Sequence, residues 1–99
     1  MKKATHNSMP TSLVKAFEKV PMTRSAAISQ AIINADRNPD LLAHAFRLRL
    51  SQPFEENDAR ITYTRDIRIE AIVKRLAEMT KLSSEQVVRL CMEAYIHRL

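Results

Sequence analysis

One pattern occurs twice in this chain, and it restricts the possible folds more than any other feature. The segment from Pro21 to Ile32 reads like the segment from Lys81 to Met92, displaced by 60 residues. Each copy is a break, an apolar residue, a hydroxyl-bearing helix cap (Thr23 or Ser83) and then an amphipathic helix. Each is preceded by another amphipathic segment and, before that, a short stretch able to be extended. A strand–helix–helix unit repeated in one small basic chain narrows the possible folds sharply, because an internal repeat constrains the whole architecture.

Periodicity places the elements. Residues 2–9 are polar and basic and can be extended; Ala4 to Met9 is the weakly patterned strand candidate. Pro10-Thr11-Ser12 opens a helix on Leu13, Val14, Phe17 and Val20, and Pro21 ends it. Thr23 caps the next helix, with Ala27, Ile28, Ala31, Ile32 and Ala35 on its stripe. After the break at residues 36–39, Asp40 is expected to cap a helix whose apolar side is Leu41, Leu42, Ala45, Phe46 and Leu48. Ser51 to Asp58 reads as an acidic, polar linker. Arg60 to Arg65 alternates as a strand does, with Ile61 and Tyr63 on one face and Arg60, Thr62 and Thr64 on the other. Asp66 can cap a helix running to about Thr80 on Ile69, Val73, Leu76, Ala77 and Thr80. Ser83, with Gln86 in the capping-box position, starts a last helix on Val87, Val88, Cys91, Tyr95 and Ile96. The expected fold class is mainly α with one short two-stranded antiparallel β-ribbon. Residues 1–36 form a first, degenerate unit, 37–59 a connecting helix and linker, and 60–99 a second unit.

Composition narrows the function. The 99 residues suit one small domain with a modest core. Of the net charge of +5, residues 1–50 carry all the excess, with eight Lys/Arg against three Asp/Glu, whereas residues 51–99 carry eight of each. A basic half invites a polyanionic partner, although a basic surface can also serve solubility alone. The absence of glycine excludes Gly-rich phosphate loops and dinucleotide fingerprints. His6, His44 and His97 lie in three segments without ligand spacing, and Cys91 is the one cysteine, on the apolar face of the last helix pattern. The chain is therefore expected not to be an enzyme and to need no cofactor or metal. Lys2-Lys3 leads into polar residues in place of an apolar run, so a cytoplasmic protein without membrane contact is expected.

The second unit resembles the ribbon–helix–helix superfamily of DNA-binding proteins. The residues that carry the resemblance are Ile61-Thr62-Tyr63-Thr64, the stripe Val73/Leu76/Ala77, and the run from Leu82 to Val88. Met22-Thr23-Arg24-Ser25-Ala26-Ala27-Ile28 matches the same helix-start pattern in the first unit, whose first helix is one turn short. Arg65 and Asp66 depart from the family's frequent apolar residue and proline. Lys81 replaces its usual helix-ending glycine, which implies left-handed backbone on a lysine.

The resemblance implies sequence-specific binding of double-stranded DNA, as a transcriptional repressor, through a ribbon laid in the major groove. Arg60, Thr62 and Thr64 would contact bases, with His6 and Ser8 as their counterparts in the first unit. Thr5, Asn7 and Met9 would then face inward. Asn7 is a poor core residue, and a slip of one position would exchange the two faces, so both registers stay open here. Lys2, Lys3, Thr23, Arg24, Ser83 and Ser84 would contact phosphates, although Thr23 and Ser83 are also ordinary caps. Pairing could be within one chain as a tandem pseudo-dimer, favouring a non-palindromic site, or between two chains, with self-association on DNA. Two other roles remain open. One is an antitoxin that masks a protein partner with Leu41–Leu50; the other is a plasmid or phage accessory DNA-binding protein.

Overall fold

The computed structural model describes residues 2–53 and 55–96, with Lys2 described in its backbone only. His97 and Phe54 lie outside the described residues. In chain order the elements are β1 (Lys2–Met9), α1 (Thr11–Glu18), α2 (Arg24–Arg37), α3 (Pro39–Ser51), β2 (Ala59–Asp66), α4 (Ile67–Thr80) and α5 (Ser84–Ile96). The described chain is mainly helical, with a two-stranded antiparallel sheet. Both strands come from the same chain: β1 pairs with β2 from Lys2 opposite Asp66 to Met9 opposite Ala59.

Local chemistry sets the helix ends. Thr23 Oγ1 accepts the Ala26 N–H at 3.3 Å and so caps α2. At the start of α5 the Gln86 N–H donates to Ser83 Oγ at 3.2 Å, while the Ser83 N–H donates to Gln86 Oε1 at 3.0 Å. This reciprocal pair is a capping box, as the spacing predicts. The third helix corrects one expectation. Pro39 takes its first position and Asn38 its cap, leaving Asp40 inside the first turn. Proline fits there because its missing N–H has no helical partner at that position anyway. Helix α1 stops at Glu18, short of Val20, and the N–H groups of Lys19 and Val20 bond to carbonyls three residues back before Pro21.

Asp66 caps α4 by accepting the N–H groups of Arg68 and Ile69, both at 3.0 Å. The bond from Ile69 is the main reason its carboxyl sits below the ordinary value of 3.8. A carboxyl depressed by folding stabilises the native state above the unfolded pKa, and this contribution disappears as pH falls through the lower folded value. Asp66→Asn, which cannot titrate, should therefore flatten the acid limb of an unfolding profile between about pH 5 and pH 2. An acid limb identical to that of the parent would remove Asp66 as a contributor.

Lys81 ends α4 in the left-handed region, with φ 61° and ψ 24°, as expected of a residue standing in glycine's place. A side chain with a Cβ is strained there. Lys81→Gly should raise stability by about 0.5–1 kcal/mol, the strain relieved being partly offset by glycine's freer unfolded chain. Chemical denaturation would show this as a higher midpoint with an unchanged slope.

Helix α5 is the centre of the core. Val87, Val88, Leu90, Cys91 and Met92 are fully buried, a run too long for one face, because helices and strand surround it. Helix α2 presents Ala27, Ile28, Ala31, Ile32 and Ala35 to the same core, its alanines allowing a close approach. In α3, Leu42 and Ala45 are buried, and the helix packs on α5 and α2. The segment 52–58 is pinned to its surroundings. Ser12 Oγ donates to Glu55 at 2.8 Å, and Thr11 donates to Asp58 from its N–H (2.8 Å) and its hydroxyl (3.1 Å). The Arg89 guanidinium reaches across to Glu55 O at 2.9 Å and Asn57 Oδ1 at 2.7 Å.

Candidate nucleic-acid interface

Side chains alternate across an antiparallel pair, so this sheet has a core face and an open face. Asn7, Met9, Ile61, Tyr63 and Arg65 are buried on the first, with Thr5 half-buried. Ala4, His6, Arg60, Thr62 and Thr64 are exposed on the second, with Ser8 half-buried. Of the two registers left open for the first strand, the one with Asn7 inward is adopted. Its amide is accommodated by donating to the carbonyls of Ser8 (3.1 Å) and Glu85 (3.3 Å).

Arg65 sits on the core face where an apolar residue would be usual. Its Nε donates to Thr5 Oγ1 at 3.2 Å and pairs with Glu70 at 3.0 Å, and its guanidinium lies 5.8 Å from the centre of the Tyr63 ring. A buried cation is tolerable only with such partners. Burial pushes the Tyr63 phenol up to about 12, and the Cys91 thiol likewise to about 12, so both are neutral at physiological pH.

Among the described side chains, three side-by-side pairs lie on the open face: Ala4 with Thr64, His6 with Thr62, and Ser8 with Arg60. His6 Nδ1 and Thr62 Oγ1 share a hydrogen bond of 2.9 Å, so the middle pair is held together. Thr64 is held too, because its N–H (2.9 Å) and its hydroxyl (3.1 Å) both donate to Ser25 Oγ. The Ser8 N–H donates to Glu85 Oε1 at 3.3 Å. Ser25 and Glu85 occupy the same place in their helices, two residues after the caps Thr23 and Ser83. Each strand is thus clasped along its outer edge by the start of a helix from the other half of the chain.

The clasps bring both helix N-termini to the flanks of the open face. Thr23 and Arg24 are exposed beside the Thr64 end, and Ser83 and Ser84 are exposed beside the Ser8 end. Lys3 is exposed at the Ala4 end, where it stands opposite Arg65 on the alternation of the core face and would reach a phosphate only around the ribbon's end, whereas the Lys2 side chain lies outside the described residues. The two flanks differ in charge. The first turn of α2 contains no acidic residue, while that of α5 contains Glu85. A helix start attracts anions, and a carboxylate already placed there opposes a second one.

The sequence patterns single out neither Ser25 nor Glu85, although both stand inside the repeated segment. Nor do they single out Arg89, whose signal was a charge amid the apolar run Val87–Met92. Helix α1, the end of α3 and α5 border a groove of about 550 Å³ whose lining also includes Pro10 and Gln86. Phe46 and Leu50 on its rim are 37 % and 75 % exposed. Among the described residues no helix is long and apolar enough to cross a membrane. No protein-family model, curated protein or solved structure matches this chain.

Proposed function

We propose that this protein binds double-stranded DNA by laying the β1–β2 ribbon in the major groove, most simply as a transcriptional repressor. In this reading two ribbon–helix–helix units are folded into one chain as a pseudo-dimer. The supporting observation is the open face itself. Six side chains in three pairs, two of them held in place by hydrogen bonds, project from a ribbon narrow enough for the groove. Arg60 supports it further, because its side chain is exposed and makes no hydrogen bond or ion pair with any described residue. Such a guanidinium can bridge the two acceptors of guanine. Lys3, Arg24 and the start of α2 would hold phosphates on one flank.

The test is selection of a random duplex library at two salt concentrations, with the mass of the complex from light scattering. A motif retained at the higher salt, with one chain per site, is the expected result. Salt-sensitive retention without a motif would leave only phosphate attraction and end the claim of sequence reading.

A second reading rests on the groove beside α3. Exposed Phe46 and Leu50 suit an apolar protein partner, as in an antitoxin that also binds DNA. Absence of DNA retention, together with loss of a co-purifying partner in Leu50→Glu, would favour it.

A further inference from the structure

We propose that the ribbon has a direction, so that one chain reads a non-palindromic duplex with a thymine-bearing half under Ala4/Thr64 and a guanine-bearing half under Ser8/Arg60. The inference rests on the ribbon reading above and specifies its substrate.

The argument follows from the pairs. An intermolecular dimer of identical strands would present the same chemistry at both ends of its ribbon. Here His6 opposite Thr62 is the middle of the three described side-chain pairs on the open face, and the pairs on either side of it are chemically different. At one end stand Ala4 and Thr64. Alanine offers only a methyl group, and the Thr64 hydroxyl already donates its proton to Ser25, which leaves its methyl and its oxygen's acceptor capacity, but no donor, for the groove. Two methyl groups match the C5-methyl of thymine and offer nothing to the acceptors of guanine. At the other end stand Ser8 and Arg60, a hydroxyl beside an exposed guanidinium. Arginine at a ribbon end selects guanine O6 and N7.

The flanks reinforce this direction. Beside the methyl end lie Lys3, Arg24 and the acid-free start of α2, while the Asp66 carboxylate at that end is engaged by the N–H groups of Arg68 and Ile69 and the Arg68 guanidinium. Beside the guanidinium end, Glu85 clasps the Ser8 N–H and places a carboxylate on that flank. Phosphate attraction is therefore concentrated on the thymine half and base discrimination on the guanine half. Reversing the site within the groove would set Arg60 against thymine and the methyl pair against guanine, losing both matches.

Library selection with the parent chain, Arg60→Ala and Ala4→Arg tests this. All three differ only at exposed positions, and circular dichroism with thermal unfolding would confirm that each is folded. The parent should enrich unequal halves, with guanine in one and thymine in the other. Arg60→Ala should lose about tenfold or more of the guanine preference, in that half alone. Ala4→Arg should gain guanine in the opposite half and move the motif towards a palindrome. A palindromic parent motif, or loss of guanine from both halves in Arg60→Ala, would overturn the direction while leaving DNA reading intact. Absence of any motif would overturn the ribbon reading, and the direction with it.

Discussion

Arg89→Ala is expected to destabilise the protein by about 3–5 kcal/mol, a large fraction of what a domain of this size has. Arg89 is 3 % exposed in the middle of α5, and its guanidinium bonds to Glu55 O and Asn57 Oδ1 and pairs with Glu93 at 3.5 Å. Alanine would remove these bonds and the close cation of half-buried Glu93, leaving it the charge of Arg49 nearby. The consequence should reach the ribbon. Segment 52–58 delivers the chain into β2, and Arg89, Ser12 and Thr11 hold it at Glu55, Asn57 and Asp58. Urea unfolding would measure the loss, and amide exchange would show whether β2 opens before α5. A loss under about 1 kcal/mol would mean that the segment is held without Arg89, since surface-like ion pairs are worth no more than that. Arg89→Met separates packing from charge, because it fills the volume but makes none of the polar contacts.

Arg60→Glu should leave folding unchanged and weaken binding to a selected duplex by about 3 kcal/mol or more, over a hundredfold. Two effects add. The guanidinium that would bridge a guanine is lost, and a carboxylate is set against the phosphates lining the groove. Met79→Glu is the matching control, since Met79 is 67 % exposed on α4, away from the open face of the ribbon. It changes net charge by one where Arg60→Glu changes it by two, so it should weaken all sequences slightly and spare discrimination. Losses that are the same on every sequence and about twice as large in free energy for Arg60→Glu as for Met79→Glu would mean that only overall charge matters, and the base reading proposed for Arg60 would fail.

Caps and stripes follow rules that act over three or four residues. Thr23, Ser83 with Gln86, and Asp66 therefore appear in the structure in the roles their spacing predicts. Alternation over six residues likewise assigned Ile61 and Tyr63 to the core face and Arg60, Thr62 and Thr64 to the open one. The misplaced cap of α3 is a local error of the same kind. An aspartate at the cap and one in the first turn look alike until the proline's position is known.

Taken alone, then, the amino-acid order determined the element sequence, the repeat and the two faces of the second strand, because each depends on near neighbours. Only the tertiary structure decided that β1 pairs with β2 of the same chain, and in which register. It alone decided how the polar groups on the core side are satisfied: Asn7 by the Glu85 carbonyl, Arg65 by Thr5 and Glu70, Arg89 by the 52–58 segment. The clasps that fix the ribbon join positions 39 and 77 residues apart. Contacts at such separations form only when the whole core closes, and no local preference encodes them.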